Sequence, residues 1–160
     1  MRRKLAAGNW KMNGTTGALQ ELTSLVTTHP APSVDVLICP PATLIGAAAQ
    51  RIGDGAIGIG GQDCHVNTSG AHTGDVSAQM LQDVGARAVI LGHSERRADH
   101  HETSEEVRAK ARTAQAAGLM TVICLGESLS QREATNTLDI IGAQLSLSVP
   151  DSSTGENLVV

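Results

Sequence analysis

Short apolar runs rich in β-branched residues alternate along this chain with stretches of helical periodicity. The runs predict strands at residues 4–7, 34–39, 56–59, 87–91 and 119–125, with a sixth beginning at 157–160. Strands separated by helices pair in parallel through right-handed crossovers. The strands are nearly continuous apolar runs, which is typical of a sheet covered on both faces. Two architectures remain open at this point, a doubly wound open sheet and a (β/α)8 barrel.

Capping signals mark two of the helices between these strands. Thr103 and Glu106 have the spacing of a capping box, and Ser130 and Glu133 predict a second box before the helix that carries Leu138. The region between residues 60 and 77 is polar, rich in glycine and without periodicity. A loop of this length inside a domain usually has a function or is disordered.

Composition and charge exclude several classes of protein. Apolar residues make up 41% of the 160-residue chain and charged residues 18%, which indicates a globular fold in a single domain of residues 1–160. The net charge is −4 and the only basic run is Arg2, Arg3 and Lys4, so we expect no nucleic-acid partner. We also expect no membrane partner and no secretory signal, because long apolar segments are lacking.

The cysteines and aromatic residues add two further constraints. Three cysteines stand far apart without a CxxC pair, which favours free thiols and a reducing, cytoplasmic location. The chain has one Trp but no Phe or Tyr, so its core must be built from aliphatic side chains.

Polar residues follow the predicted strands, where parallel α/β proteins place their chemistry. Asn9 and Lys11 follow the first strand, Gln62 follows the third, and His93 and Glu95 follow the fourth. Lys11 is either a fixed cation for an anionic substrate or a solvated loop lysine. Glu95 is either an acid–base group or, as we favour, an ion-pair partner of Lys11 or of Arg96.

His93 precedes a helix start at Ser94. The free N–H groups of a helix start disfavour a positive imidazolium, and a neutral ring can donate a hydrogen bond to a carbonyl oxygen. A core histidine satisfied by the backbone is the alternative. The cluster at residues 99–102 contains adjacent histidines that do not share a face, so we expect no metal site. Cys124, at a strand end, favours packing over nucleophilic chemistry.

Four motifs make the chain resemble the triosephosphate isomerase family over its whole length. They are GNWKMNG at residues 8–14, GAHTGDVS at 70–77, ILGHSERR at 90–97 and CLGE at 124–127. The resemblance implies a (β/α)8 TIM barrel that interconverts dihydroxyacetone phosphate and D-glyceraldehyde 3-phosphate without a cofactor. The small phosphorylated triose would be its substrate.

The resemblance also implies a role for each catalytic candidate. His93 is similar to the neutral electrophile that polarises the carbonyl, and this family is the standard example of a histidine kept neutral by a helix N-terminus. Lys11 would supply positive charge to the phosphate and the enediolate, and Asn9 would help to hold the oxyanion. Ser94 resembles the serine that holds the catalytic base in an unliganded site. Glu95 resembles the supporting glutamate near Lys11.

Family members form homodimers in which the third loop inserts into the partner subunit. The resemblance places Met12, Gln62 and Thr73 at this interface. His72 and Asp75 depart from the family, which usually has an aromatic residue and a glutamate at these positions.

The family's catalytic base is a glutamate at the end of strand six, and the printed sequence stops before that motif. We therefore expect an incomplete barrel of about five and a half βα units, truncated before the end of strand six and inactive alone. The alternatives are a non-catalytic fragment that serves only in folding or assembly and, with less support, another phosphate-binding barrel.

Overall fold

Six parallel strands, each paired with the strand that follows it in the chain, form a curled sheet. The computed structural model describes residues 4–160, so Arg2 and Arg3 of the basic run lie outside the described residues. The strands are β1 Leu5–Asn9, β2 Asp35–Cys39, β3 Ile57–Gly61, β4 Ala88–Leu91, β5 Met120–Ile123 and β6 Leu158–Val159. The order β1-β2-β3-β4-β5-β6 never reverses. A doubly wound sheet would reverse its strand order at a switch point, so this order identifies an incomplete (β/α) barrel.

Helices connect the strands, as the sequence predicts. They are α1 Gln20–Thr28, α2 Ile45–Ile52, α3 Ala78–Asp83, α4 Ser94–Asp99, α5 Ser104–Ala116, α6 Leu129–Glu133 and α7 Thr137–Ser148, with 3₁₀ turns at Thr16–Leu19 and Ala42–Leu44. Within residues 4–160, no helix is long and apolar enough to cross a bilayer.

The two faces of the sheet carry separate apolar layers. Side chains such as Ile59, Leu91 and Ile123 pack against the helices in the larger layer. Leu37 and Ala88 belong to the smaller layer on the inner face. The inner layer borders a cleft of about 510 Å³ near the starts of the strands. The buried members of both layers are aliphatic side chains and two cysteines, and the partly buried Trp10 packs against the larger layer.

One of the two predicted capping boxes is confirmed and the other is wrong. The backbone N–H of Thr103 donates to Glu106 Oε2 at 2.7 Å, and the backbone N–H of Glu106 donates to Thr103 Oγ1 at 3.2 Å. The second box is formed by Ser128 and Gln131. Ser128 has the extended backbone of an N-cap, whereas the predicted cap residue Ser130 already lies inside α6.

A partly buried ionic cluster joins the segment after β3 to α4 and α5. Lys110 Nζ lies 3.0 Å from each carboxylate oxygen of Asp63 and also donates to Glu102. Arg96 Nη2 lies 3.0 Å from Asp63 Oδ2. Glu102 is buried, and its Oε2 atom has no hydrogen-bond partner among the described residues.

The pKa values in this cluster show the competition between burial and charge. Burial raises the pKa of the Asp63 carboxyl, although Lys110 and Arg96 oppose the shift. Burial also disfavours the charge on Lys110, but attraction to Asp63 and hydrogen bonds to Glu102 and Asp63 raise its pKa. Lys110 and Arg96 therefore together offset the negative charge of the buried Glu102 and the partly buried Asp63.

We predict that Lys110→Met lowers the free energy of unfolding by about 1–3 kcal/mol, because Arg96 is then the only cation that pairs with Asp63 and the buried Glu102. Urea unfolding followed by circular dichroism measures the change. Arg112→Met is the control, since Arg112 is an exposed cation on the same helix. The control should change stability by less than about 0.5 kcal/mol. Equal effects of the two variants would show that the cluster does not stabilise the fold.

Candidate active site

The loop after β1 is fixed by hydrogen bonds from two neighbouring strands. Asn9 Oδ1 accepts the backbone N–H of Lys11 at 2.8 Å. The side-chain amide of Gln62 donates to Lys11 O at 2.8 Å and to Cys39 O at 2.9 Å, and Trp10 N donates to Cys39 O at 3.0 Å. These bonds hold Lys11 at a φ of 53°, in the left-handed region. The direction of the lysine side chain is thus set by the backbone around it.

A tight turn between β4 and α4 places His93. Gly92 has a φ of 69°, and a Cβ atom there would lie 2.8 Å from Arg97 Nη2 and 2.9 Å from Val107 Cγ2. Arg97 Nε donates to Gly92 O at 2.8 Å, and Arg97 Nη1 donates to Ser104 Oγ at 3.0 Å. Only glycine fits this turn, which makes His93 the N-cap residue of α4.

The ring of His93 has one nitrogen occupied by its own helix. Its Nδ1 atom accepts the backbone N–H of Glu95 at 3.4 Å. A neutral imidazole has one acceptor and one donor nitrogen. When Nδ1 accepts, the hydrogen is on Nε2, which is then available as a donor to a bound molecule.

Lys11 and Glu95 form an ion pair that joins the first loop to α4. Lys11 Nζ lies 2.6 Å from Glu95 Oε1, and both side chains are about half exposed. The hydrogen bond from Lys11 lowers the pKa of Glu95 despite some desolvation, and its electrostatic interactions with His93 and Lys11 lower it further. This agrees with the favoured interpretation of Glu95 as an ion-pair partner, and of the two cations considered it is Lys11 that makes the pair.

The structure brings the central candidates together in one cleft of about 540 Å³ at the C-terminal edge of the strands. Asn9, Lys11, Gln62, His93 and Glu95 all line it.

Other predicted residues lie at its margin or beyond it. Met12 also lines the cleft but is 95% exposed. Ser94 is the exposed first residue of α4, outside the cleft lining, and Thr73 is exposed on the third loop. Glu127, another carboxylate after a strand, is occupied by Arg132, whose Nε atom lies 2.7 Å from its Oε1.

Sequence reasoning did not assign several residues that line the cleft, which are Asn13, Asp63, Arg96, Asp99 and His100. Asn13 donates from Nδ2 to Trp10 O at 2.9 Å and so tightens the first loop. Asp63 and Arg96 extend from the ionic cluster to the cleft wall. The position of Arg96 in the ILGHSERR motif was the only available signal, since its partner Asp63 is remote in sequence.

The cysteines do not take part in this arrangement as nucleophiles. Burial raises the pKa of Cys39 and of Cys64 to about 12, and burial also raises the pKa of Cys124. A thiol with a raised pKa holds little thiolate at neutral pH. All three are free cysteines, as the sequence predicts.

The sequential parallel strands and the polar cleft at their C-terminal edge define a protein of the βα-barrel class. The family model described as "Triosephosphate isomerase" matches residues 4–160. The chain belongs to the triosephosphate isomerase family.

Individual relatives agree with the family match. The triosephosphate isomerase of Ruegeria sp. (strain TM1040) is 64% identical over 160 residues, which are 100% of this chain and 64% of the relative. That of Brucella abortus biovar 1 is 50% identical over 161 residues, covering 99% and 63%. The crystal structure of triosephosphate isomerase from Bartonella henselae superposes with a TM-score of 0.95 at 45% identity, covering 99% of this chain and 66% of that one. The chain thus spans slightly less than two thirds of these relatives.

We predict that Lys11→Met raises the pKa of Glu95 toward the ordinary value of about 4.3, because the strongest interaction lowering that pKa is the hydrogen bond from Lys11. In the unaltered protein, the Lys11–Glu95 ion pair persists at pH values above the lowered pKa of Glu95 and is lost as the pH falls through that pKa. Carbon NMR of labelled glutamate measures the titration. Lys4→Met, at the opposite end of β1, should leave it unchanged. An unaltered Glu95 titration in Lys11→Met would contradict the ion pair.

Proposed function

We propose that the protein containing these residues is a triosephosphate isomerase, acting in glycolysis and gluconeogenesis. It would interconvert dihydroxyacetone phosphate and D-glyceraldehyde 3-phosphate. The observation that carries the proposal is that Lys11 and His93 line one cleft in a chain of this family.

The proposed reaction moves one proton between neighbouring carbon atoms. A base removes the proton beside the carbonyl, the electron pair moves to the carbonyl oxygen, and an enediolate forms. The proton then returns to the neighbouring carbon, so nothing is gained or lost. His93 would donate from Nε2 to the oxygen on which negative charge develops, and a preorganised donor there stabilises the transition state.

Lys11 and Asn9 would support this charge from the first loop. The Lys11 ammonium would attract the phosphate and the enediolate, and Glu95 would position it through their 2.6 Å contact. Asn9 uses its carbonyl oxygen to fix the Lys11 backbone. Its amide N–H groups are the part of the side chain suited to an oxyanion. The proposal requires no cofactor.

The base would come from residues outside the printed sequence. Glu95 is paired with Lys11, and Asp63 is paired with Lys110 and Arg96, so neither carboxylate is placed as a free base. The family's glutamate at the end of strand six would supply this group, and Ser94 would hold it in the unliganded site. We therefore infer that the 160-residue chain alone does not turn over substrate.

We predict that His93→Gln in the full gene product lowers kcat by about 10²–10³-fold, since it removes an oxyanion donor. A coupled assay of triose phosphate interconversion measures kcat and KM, and KM should change less than kcat. His29→Gln is the control, because His29 follows α1 at the edge remote from the cleft. The printed 160 residues should show no turnover. If the 160 residues alone turned over substrate at a rate typical of the family, the inference that they lack the catalytic base would be refuted. If the full gene product were inactive, a role in assembly would be favoured.

We also infer that the protein forms a homodimer through residues 62–77. Met12 is an almost fully exposed apolar side chain at the cleft edge, and Thr73 is exposed at the tip of the third loop. Fixing a residue's backbone costs roughly 1–2 kcal/mol. A partner surface would supply contacts that offset this cost, and twofold symmetry would make the exchange reciprocal.

We predict that deletion of residues 69–74 converts the dimer to monomers, because the deleted tip carries the partner contacts. Light scattering gives the mass, and circular dichroism verifies that the fold is retained. Thr73→Arg should weaken the dimer in the same direction. Thr27→Arg, on the exposed face of α1, is the matched control. A folded deletion variant that remains dimeric would overturn this interface.

A further inference from the structure

The third loop leaves the sheet and returns to it through two closely joined arms. His65 N donates to Val76 O at 2.8 Å, and His65 also forms a β-bridge with Ser77. The tip folds back on itself, because Asp75 N donates to His72 O at 3.1 Å. One arm therefore presents His65, while His72 and Asp75 come from the tip and the returning arm.

These three side chains form a compact cluster. The rings of His65 and His72 lie with centroids 4.0 Å apart at an angle of 32°. His65 Nε2 lies 3.9 Å from Asp75 Oδ2. Each residue offers one ligand atom, and these atoms all lie within 4.8 Å of one another. In the part of the chain that the structure describes, no other group of three such residues meets this geometry.

Asn67 currently occupies acceptor nitrogens on both rings. Its backbone N–H donates to His65 Nδ1 at 3.0 Å, and its side-chain Nδ2 lies 3.0 Å from His72 Nε2. An amide nitrogen can only donate, so His72 Nε2 is an acceptor in this contact. That lone pair is engaged by Asn67, so coordination through His72 Nε2 would displace the Asn67 side-chain amide. Coordination through His65 Nε2 would move the hydrogen of that ring to Nδ1 and would therefore also break its bond with the backbone N–H of Asn67.

We propose that the third loop binds a divalent transition-metal ion, such as Zn²⁺, through His65, His72 and Asp75. Two imidazoles and one carboxylate suit Zn²⁺, Co²⁺ or Ni²⁺ better than Mg²⁺ or Ca²⁺, which prefer oxygen ligands. Zinc bonds of about 2.0–2.2 Å place tetrahedral ligand atoms about 3.3–3.5 Å apart. Small rotations of these side chains close the remaining distance, and water completes the coordination.

This site differs from the one that the sequence brought to attention. The sequence predicted no metal site because His100 and His101 are adjacent, and the proposed ligands instead lie at positions 65, 72 and 75 without regular spacing. His72 and Asp75 are also the two residues that depart from the family pattern. The ion would join the two arms of the loop and restrict its motion.

Titration of the metal-free protein with Zn²⁺ by calorimetry tests the proposal, with Co²⁺ absorption as a second readout. We expect one ion per chain. Changes to groups that only orient metal ligands weaken affinity by roughly 10–100-fold, so His72→Gln and Asp75→Asn should each weaken binding by at least about tenfold. His29→Gln is the control, because His29 follows α1 and lies outside the third loop, and this variant should bind as the unaltered protein does.

Proton NMR of the histidine rings locates the ion independently of affinity. Co²⁺ should shift and broaden the resonances of His65 and His72, and leave those of His29 and His101 sharp. The proposal is overturned if the unaltered protein binds no ion, if the His72→Gln variant binds the ion as tightly as the unaltered protein, or if the resonances of other histidines respond instead. Circular dichroism of each variant verifies that a loss of binding is not a loss of fold. Because the site lies within one chain, its stoichiometry does not depend on the proposed dimer.

Discussion

Each strand of the sheet pairs in parallel with its successor, so every strand ends at the same edge. Asn9 at the end of β1 is registered with Cys39 at the end of β2, and Leu91 is registered with Ile123. The carbonyl of Cys39 then receives hydrogen bonds from both Trp10 and Gln62. A slip of one residue would exchange the two faces of a strand and detach these loops. The arrangement of the cleft is therefore a consequence of sheet register.

Two ion-pair systems at this edge have different physical consequences. The Lys11–Glu95 pair is half exposed, and exposed pairs contribute little to stability. Its main effect is to hold an ammonium group in place without burying it. The Lys110–Asp63–Glu102 cluster is much less exposed, and loss of Lys110 would leave Arg96 as the only cation beside two carboxylates. The lysine available to a ligand is therefore one on which the fold does not depend.

Local patterns in the sequence predicted the features that depend only on residues close together in the chain. The strands were predicted to within about two residues at most ends, which is the usual precision for element boundaries, and the Thr103–Glu106 box depends only on spacing. The second box was misplaced because serines at 128 and 130 both precede a plausible partner, and only backbone conformation separates them. The ionic cluster was missed because Asp63 and Lys110 are brought together by β4 and α5, which no local pattern reveals. The His65–His72 contact likewise depends on how the loop folds back.

The proposed metal site and the proposed dimer use the same loop, which couples them. An ion that binds only the ordered loop stabilises that conformation by mass action. If the partner subunit recognises the same conformation around Thr73, the entropy lost on ordering is shared between the two events. Each event then strengthens the other by the same factor, since coupling between two binding equilibria is reciprocal. Binding of a metal ion to the third loop would thus favour association of the subunits, and neither His93 nor Lys11 would take part.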